Sequence, residues 1–409
     1  MTTPTYTPPA AMLEKYANLI VEFGLQNRDG SKPKAGAVVH FIVPEAARPL
    51  YYHLQKSILE HGYHPLGEYL PSNDETYNFD AMFFKTATPT QRTFAPDTYK
   101  KGQVDQIDCV IRIFADTMPH ALKGIPAEYL LEQRRAQKKN IDYKWNKIES
   151  GKLNWTLALY GTDAMAKEAG LTLKQYWQQI IKACYLDEKN PTKEWFRINK
   201  TVQSTAAKLT KLAIKSIHML GKDVDLRVSI GANRQWLAGG GNNIPSFEIF
   251  TSPNWREVDG WIRFNQPLYV FGSMVEGIEL HFKNGEVVQY SAKKNQNLLK
   301  QIIETKGGNR LGEVSLTDAR ISRITKFMAD TLYDENVGGK YGNTHVALGS
   351  AYRECLLGVA PKSDKDWDKL GYNDSVVHHD IVSTTDRTVT ATLENGKTKV
   401  IYKNGQFTI

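Results

Sequence analysis

Cysteine is scarce in this sequence, and its few residues lie far apart. The three cysteines, Cys109, Cys184 and Cys355, are odd in number and form no CxxC or comparable ligand spacing. The sequence therefore indicates neither a disulfide framework nor a thiolate zinc site, and we expect a reducing, cytoplasmic compartment.

Long apolar runs and clustered charge are missing as well. No stretch approaches the ~18 apolar residues of a membrane-spanning helix, and the opening MTTPTYTPPAAM lacks the basic and apolar regions of a signal peptide. We therefore expect neither membrane insertion nor secretion. The formal net charge is +8, but basic residues are dense only from Glu132 to Lys147. Because dispersed charge is typical of solvated helix faces, a nucleic-acid partner is not expected.

The length of the chain predicts two domains. Its 409 residues, 41% of them hydrophobic, exceed the roughly 250–300 residues at which a single core stops growing. Residues 1–11 are rich in Pro and Thr, which predicts a flexible tail. We predict an N-terminal α/β domain over residues 12–224 and a C-terminal domain over residues 225–409.

Helical periodicity alternates with buried strands in the first half, which predicts a parallel sheet with crossover helices. After residue 224 the pattern changes to short strands with NG turns, a strong hairpin signal. The predicted fold class is α/β, with two dissimilar α/β domains: an N-terminal open parallel-sheet unit and a C-terminal mixed-sheet metal-binding domain. The predicted N-terminal elements are helices over residues 12–26, 45–62, 125–151, 171–185 and Thr201–Leu220, and strands over residues 35–43, 106–114 and 153–161.

Carboxylates and histidines recur within ordered-looking motifs of the last third. Divalent ions bind deprotonated carboxylates and neutral imidazoles, and two ions about 3.5–4 Å apart need a bridging carboxylate. This inventory predicts a metal site. The candidates are Glu248 in NIPSFEIFTSP, Glu313 in GEVSL, Glu335 in LYDENVGG, His345 in NTHVALGSAY, and His378 and Asp380 in SVVHHDIV.

Each glutamate also has an ordinary structural interpretation. Glu248 lies in an apolar run, where a carboxylate needs a metal, a proton or a basic partner such as a buried arginine. Glu313 alone could be a surface residue, and Glu335 could end an exposed helix. The glycine-rich VGGKYGN that follows Glu335 can fold back tightly, which would bring His345 toward it.

The histidines and a tyrosine leave similar alternatives open. His345 alone could be a core histidine. In SVVHHDIV, strand alternation places His378 and Asp380 on one face and His379 on the other, which suits either a metal or a simple hydrogen bond. Tyr352 could donate a hydrogen bond to a developing oxyanion or could pack in the core.

Taken in order, these motifs resemble the M29 metalloaminopeptidases, the aminopeptidase T and aminopeptidase S group. MLEKYANLIVEFGLQ and LALYGTDA extend the resemblance more weakly into the first half. The resemblance implies two dissimilar α/β domains, a homodimer, and two divalent ions in the C-terminal domain. It implies that Tyr352 stands beside the ions, that Glu313 bridges them, and that the ligands are Glu248, Glu313, Glu335, His345, His378 and Asp380.

Two features depart from the family pattern. Phe247 precedes Glu248 where the family commonly has glycine, which would change the floor of the pocket. The segment from Glu335 to His345 is longer than the compact form of the family, which changes the loop that carries Glu335.

The predicted function is a metal-dependent aminopeptidase that removes N-terminal amino acids from peptides through a dinuclear metal-activated water. Zinc lowers the pKa of water from about 15.7 to about 7, and Glu313 or Glu335 would relay the proton to the leaving amine. Four carboxylates and two imidazoles suit Zn, Co, Mn or Mg. The alternatives are a two-metal phosphoesterase or other metal-dependent hydrolase, and a metal-stabilised binding protein. A phosphoesterase should offer basic residues, and only Lys340 and Arg353 accompany the motifs.

Overall fold

Two structural units make up the chain, and the division between them falls inside a helix. The computed structural model describes residues 3–26, 30–270 and 272–409. The first unit comprises the described residues up to Glu194 together with Gly241–Ile244, and the second comprises Trp195–Gly240 and Pro245–Ile409. Within the described residues, no helix has both the length and the apolar character needed to cross a bilayer.

The helices lie mostly in the first half of the chain, and short 3-10 turns occur at Glu45–Ala47 and Arg353–Cys355. The α-helices are α1 (Ala10–Glu22), α2 (Arg48–Glu60), α3 (Phe79–Thr86), α4 (Pro89–Arg92), α5 (Asp97–Gln106), α6 (Ala127–Glu149), α7 (Asp163–Glu168), α8 (Leu173–Ala183), α9 (Pro191–Lys211), α10 (Gln296–Glu304), α11 (Thr331–Asp334) and α12 (Asp364–Lys369).

The strands are concentrated in the second half. They are β1 (Val38–Pro44), β2 (His64–Leu70), β3 (Cys109–Phe114), β4 (Asn154–Leu159), β5 (Ile214–Gly221), β6 (Val224–Ser229), β7 (Leu237–Ala238), β8 (Asn243–Ile244), β9 (Glu248–Thr251), β10 (Val258–Arg263), β11 (Leu268–Val270), β12 (Ser273–Val275), β13 (Glu279–Lys283), β14 (Glu286–Ser291), β15 (Leu311–Thr317), β16 (Asn343–Gly349), β17 (His378–Ser383), β18 (Arg387–Leu393), β19 (Thr398–Lys403) and β20 (Gln406–Phe407).

The first unit contains a parallel sheet with strand order β2-β1-β3-β4-β8. Strand β1, between β2 and β3, buries Val39, Phe41 and Val43 completely, because crossover helices cover the faces of a parallel sheet. The predicted parallel α/β unit is therefore confirmed. Strand β2 was not predicted, since HPLGEYL at the sheet edge is largely exposed and shows no apolar pattern.

The predicted flexible tail makes specific contacts in its described part. The backbone N–H of Thr5 donates to Asp163 Oδ2 at 3.1 Å, and Pro8 is buried. Helix α1 then begins at Ala10, two residues before the predicted start at Met12.

The second unit is built from antiparallel sheets. One has the order β14-β13-β10-β6-β5-β18-β19-β20, another the order β17-β16-β15-β9-β7, and β11 pairs with β12. All of these pairings are antiparallel, which refines the predicted mixed sheet. Two of the predicted NG turns have both residues in the left-handed region: Asn284 (φ 51°) with Gly285 (φ 85°), and Asn404 (φ 53°) with Gly405 (φ 75°).

The predicted helix over Thr201–Leu220 is wrong in its second half. Helix α9 ends at Lys211, Ala213 takes a left-handed φ of 47°, and β5 begins at Ile214. Strand β5 pairs with the distant β18 as well as with β6, so tertiary pairing decides its conformation. The β5–β6 hairpin belongs to the second unit, so the division lies earlier than the predicted boundary at residue 225.

Candidate metal centre

The five-stranded antiparallel sheet of the second unit carries most of the candidate ligands. Glu248 begins β9, Glu313 lies on β15, His345 on β16, and His378 and Asp380 on β17. These strands are direct neighbours in the order β17-β16-β15-β9, and every residue of β9, β15 and β16 is buried. The sheet therefore collects residues that are distant in sequence at one buried location.

The polar atoms of these residues approach one another closely in two groups. His345 Nε2 lies 3.4 Å from Glu248 Oε2 and 3.4 Å from Glu313 Oε1. His378 Nε2 lies 3.2 Å from Glu313 Oε2 and 3.3 Å from Asp380 Oδ1. Within each group, one ligand atom from every residue lies within 4.8 Å of the others. Glu313 belongs to both groups and uses a different oxygen in each.

Glu335 lies on a loop and not in the sheet. Neither ligand group includes it, but it is close enough to interact electrostatically with Glu248, Asp380 and Glu313. It caps the C-terminus of α11 and is only 8% exposed. The longer segment up to His345 turns back through Gly339 (φ 99°) and Gly342 (φ 57°). Asn343 closes this loop, since its amide donates to the carbonyls of Glu335 and Val337, both at 2.8 Å. The extra length is thus absorbed without removing Glu335 from the cluster.

Burial and mutual repulsion make the carboxylates electrostatically unusual. Burial raises the pKa of Glu248 to about 8, and the neighbouring Glu313 contributes to the rise. Burial also raises the pKa of Glu335 well above its ordinary value, with further contributions from Glu248 and Asp380. These acidic groups act strongly on one another because they share one poorly solvated location.

The pKa values of the two histidines also rise, but for a different reason: the nearby carboxylates favour the protonated imidazole. Burial alone would lower the pKa of His345, but the hydrogen bond to Glu313 and the charge of Asp380 raise it to about 9. Burial is likewise outweighed at His378, where Asp380 and Glu313 raise the pKa well above its usual range. At Asp380 burial opposes ionisation, yet His378 and His345 bring its pKa down to about 2.

The second nitrogen of His378 fixes the orientation of its ring. Nδ1 lies 2.8 Å from the carbonyl oxygen of Ser350, so it donates there and leaves Nε2 directed at the cluster. Tyr352 Oη lies 3.4 Å from the same Nε2. The Tyr352 side chain remains 38% exposed. Protein atoms packed around its hydroxyl, and then the charge of Glu313, raise the pKa of Tyr352 well above its ordinary value.

The donor set fits divalent cations. Four carboxylates and two imidazoles are collected in one buried cluster. Among the described residues, the charged groups that most affect the pKa of Glu248, Glu335 and Asp380 are other members of this cluster. A buried excess of negative charge is costly unless cations balance it. Asp380 Oδ1 is also buried, and it lies 3.3 Å from His378 Nε2 without the geometry of a regular hydrogen bond. Oxygen and imidazole ligands of this kind suit Zn, Co, Mn or Mg.

Phe247, the first departure from the family pattern, packs in the core of the second unit. Strand alternation directs the Phe247 side chain away from Glu248, and its ring stacks on Trp195 with centroids 5.1 Å apart. Phe247 is fully buried, so it fills the core rather than the floor of a pocket. The buried Arg234, the type of partner considered for Glu248, donates to the backbone carbonyls of Ser252 and Leu370.

Two hydroxyl groups beside Glu248 were not identified from the sequence. Ser246 Oγ and Ser315 Oγ each lie 3.4 Å from a Glu248 carboxylate oxygen. Ser315 follows Glu313 by two residues on the same strand, so strand alternation could have placed it on the same face. Ser246 precedes Glu248 by two residues, so the same spacing was available for it in the sequence.

Comparisons with known proteins agree with this chemistry. The family model described as "Thermophilic metalloprotease (M29)" matches residues 10–407. The chain is 30% identical to "Aminopeptidase T" of Thermus aquaticus over 310 residues, covering 71% of this chain and 74% of that protein. It is 28% identical to "Aminopeptidase AmpS" of Bacillus subtilis (strain 168) over 309 residues, again covering 71% and 74%. The solved structure of wild-type AmpT from Thermus thermophilus superposes with a TM-score of 0.81 at 25% identity, covering 97% of this chain and 99% of that chain.

Proposed function

We propose that this chain, which belongs to the thermophilic metalloprotease (M29) family, is an aminopeptidase that uses two divalent metal ions to release N-terminal amino acids from peptides. The names of its relatives, aminopeptidase T and aminopeptidase AmpS, support the activity. Family membership supports the use of a metal.

The observation that carries the two-ion proposal is the shared position of Glu313. One group is Glu248, Glu313 and His345, and the other is Glu313, His378 and Asp380. Each group offers a ligand set for one ion, and the two oxygens of Glu313 face different histidines. We assign Glu313 as the bridge. We also assign Glu335 as a ligand, and its electrostatic interaction with Glu248, Asp380 and Glu313 supports this assignment.

Bound divalent ions would supply Lewis-acid polarisation of the scissile carbonyl and activate water as the nucleophile. The chain's own residues supply the remaining functions. The carboxylate of Glu313 or Glu335 accepts the proton that the attacking water loses and passes it to the leaving amine. Ser350, through its carbonyl, holds the His378 ring with Nε2 directed inward.

Tyr352 is positioned to interact with substrate. Its hydroxyl borders the cluster at His378, and the side chain is partly exposed. A phenol O–H in this position donates a hydrogen bond to the carbonyl oxygen as negative charge develops on it. We therefore assign Tyr352 as the oxyanion donor.

Further features of the proposal concern organisation and location. All proposed ligands lie in the second unit, within the predicted C-terminal domain of residues 225–409, and we assign this unit as the catalytic domain. The first unit is the N-terminal α/β domain. The three cysteines are buried and form no disulfide, which supports a reducing, cytoplasmic location. The resemblance to the M29 family supports a homodimer.

The experiment compares amino-acid release from aminoacyl-p-nitroanilides with phosphate release from p-nitrophenyl phosphate, each with and without a chelator. We expect amino-acid release alone, its loss with chelator and its return with Co, Zn or Mn. A matched peptide with an acetylated N-terminus should resist cleavage, because the free amine is needed for docking. Phosphate release, or equal cleavage of acetylated and free peptides, would contradict the proposal.

A further inference from the structure

A fully buried amide lies beside Glu335, and the proposed chemistry of the centre does not use it. Asn336 is 0% exposed. Its Oδ1 accepts a hydrogen bond from the backbone N–H of Phe247 at 2.7 Å. Its Nδ2 donates to the carbonyl of Leu332 and to Glu335 Oε1, both at 3.2 Å. The side chain therefore uses its oxygen and its nitrogen in different directions.

These contacts connect two parts of the cluster that lie far apart in sequence. Phe247 directly precedes Glu248, so the bond to its N–H anchors the start of β9. The bonds from Nδ2 hold the end of α11 and the Glu335 carboxylate. Because the oxygen is committed to Phe247, the amide orientation is fixed and an N–H must point at Glu335.

The backbone of Asn336 is held as well. Its carbonyl accepts a hydrogen bond from Ser322 Oγ, and Ser322 is itself buried. Asn343, at the other end of the loop, binds the carbonyl of Glu335 at 2.8 Å. The amide of Asn336 is thus a rigid donor, and a rigid donor can select one orientation of a carboxylate.

We propose that Asn336 is a positioning residue that aims the Glu335 carboxylate at the metal centre and keeps it in register with Glu248. The inference rests on the proposed two-ion function and extends it to a residue outside the ligand set. It explains how a loop longer than the family's compact form still delivers Glu335 to the site. Asn336 acts through Glu335 and has no contact with substrate.

The substitutions Asn336→Asp and Asn336→Ala separate positioning from packing. Asn336→Asp keeps the shape and an oxygen for the Phe247 N–H, but it places a second carboxylate oxygen against Glu335. Asn336→Ala removes the donor and the acceptor together. If Asn336→Ala does not fold, Asn336→Asp carries the test, because it preserves the bond that anchors β9.

Asn373 provides a matched control in the same unit. It is also buried, at 4% exposure, and its amide donates to the carbonyls of Gly307 and Gly349 at 2.7 and 2.6 Å. Its amide donates to backbone carbonyls and to none of the cluster's carboxylates. Asn373→Ala should therefore lower stability as a buried amide deletion does, without a specific effect on metal binding.

The experiment titrates metal-free wild type and variants with Co²⁺ against a competing chelator, recording the visible absorption of bound Co²⁺ and the thermal midpoint of each metal-free protein. We expect both Asn336 variants to bind one of the two ions about 10–100-fold more weakly and to bind the other with an affinity near that of the wild type. Asn373→Ala should leave both affinities unchanged. Folded Asn336 variants with two wild-type affinities, or equal weakening by Asn373→Ala, would overturn this inference alone. A wild type that binds no divalent ion would overturn it together with the proposed function.

Discussion

Glu313 places one carboxylate oxygen 3.4 Å from His345 Nε2 and the other 3.2 Å from His378 Nε2. No other candidate ligand belongs to both of the described ligand groups. Glu248 and Asp380 each belong to one group. The residue whose loss should affect both ions is therefore Glu313.

Glu313→Gln should lower metal content to one ion or fewer per chain and lower kcat by more than about 100-fold, since changes outside the ligand shell already cost about 10–100-fold. Glu335→Gln should be milder, because Glu335 contacts one ion at most. Metal content and kcat of both variants are measured under saturating metal. A Glu313→Gln protein that holds two ions and turns over normally would show that the bridge is misassigned.

The sequence locates the candidate residues at this scale better than it locates their supports. The structure gathers Glu248, Glu313, His345, His378 and Asp380 on adjacent strands, with Glu335 beside them. Their roles as ligands stay predictions. The bond between the Phe247 N–H and Asn336 joins residues that are 89 positions apart, and no local pattern encodes such a contact.

At the scale of secondary-structure elements, a hydrogen bond between the starts of two strands can be tested for its contribution to stability. Asp108 precedes β3, and its carboxylate accepts from the Val38 N–H at 2.9 Å at the start of β1. Lys34 Nζ lies 2.9 Å from the other oxygen. Burial opposes ionisation, but the Val38 N–H and Lys34 outweigh it and lower the pKa of Asp108 below its ordinary value.

Asp108→Asn should lower the free energy of unfolding by about 1 kcal/mol at pH 7, a modest value because solvent reaches this side chain. The folded pKa lies below the unfolded value of about 3.9, so the stabilisation is complete above that pH and is lost as pH falls through the folded pKa. Urea unfolding of wild type and variant is compared at pH 7, 5 and below 4. The exposed Asp142, paired with Lys138 at 2.8 Å, supplies the control Asp142→Asn. A difference for Asp108→Asn that stays constant across this range would contradict the assignment.

Element prediction succeeds where the signal is local and fails where pairing is distant. The NG turns at Asn284 and Asn404 require only two residues with positive φ, and the sequence displays both. Strand β5 continues a helical pattern in sequence, but its pairing with β18 makes it a strand. Edge strand β2 has little buried surface and therefore no apolar pattern.

The whole molecule combines a parallel α/β unit with a unit of antiparallel sheets, and the second unit alone contains the candidate centre. The α/β class and the family follow from the sequence, because periodicity and five ordered motifs are properties of the chain itself. The position of the division between the two units does not follow from the sequence. It depends on the β5–β6 hairpin joining a sheet whose other strands come much later in the chain.

The most direct test of a two-ion aminopeptidase is to count bound metal and turnover in the same sample. Protein stripped by a chelator is titrated stepwise with Zn²⁺ or Co²⁺, bound metal per chain is measured by mass spectrometry, and amino-acid release is measured at each step. No turnover is expected without metal, and the maximum is expected when two ions are bound per chain. Turnover that survives complete removal of metal, or that saturates at one ion per chain, would contradict the two-ion centre.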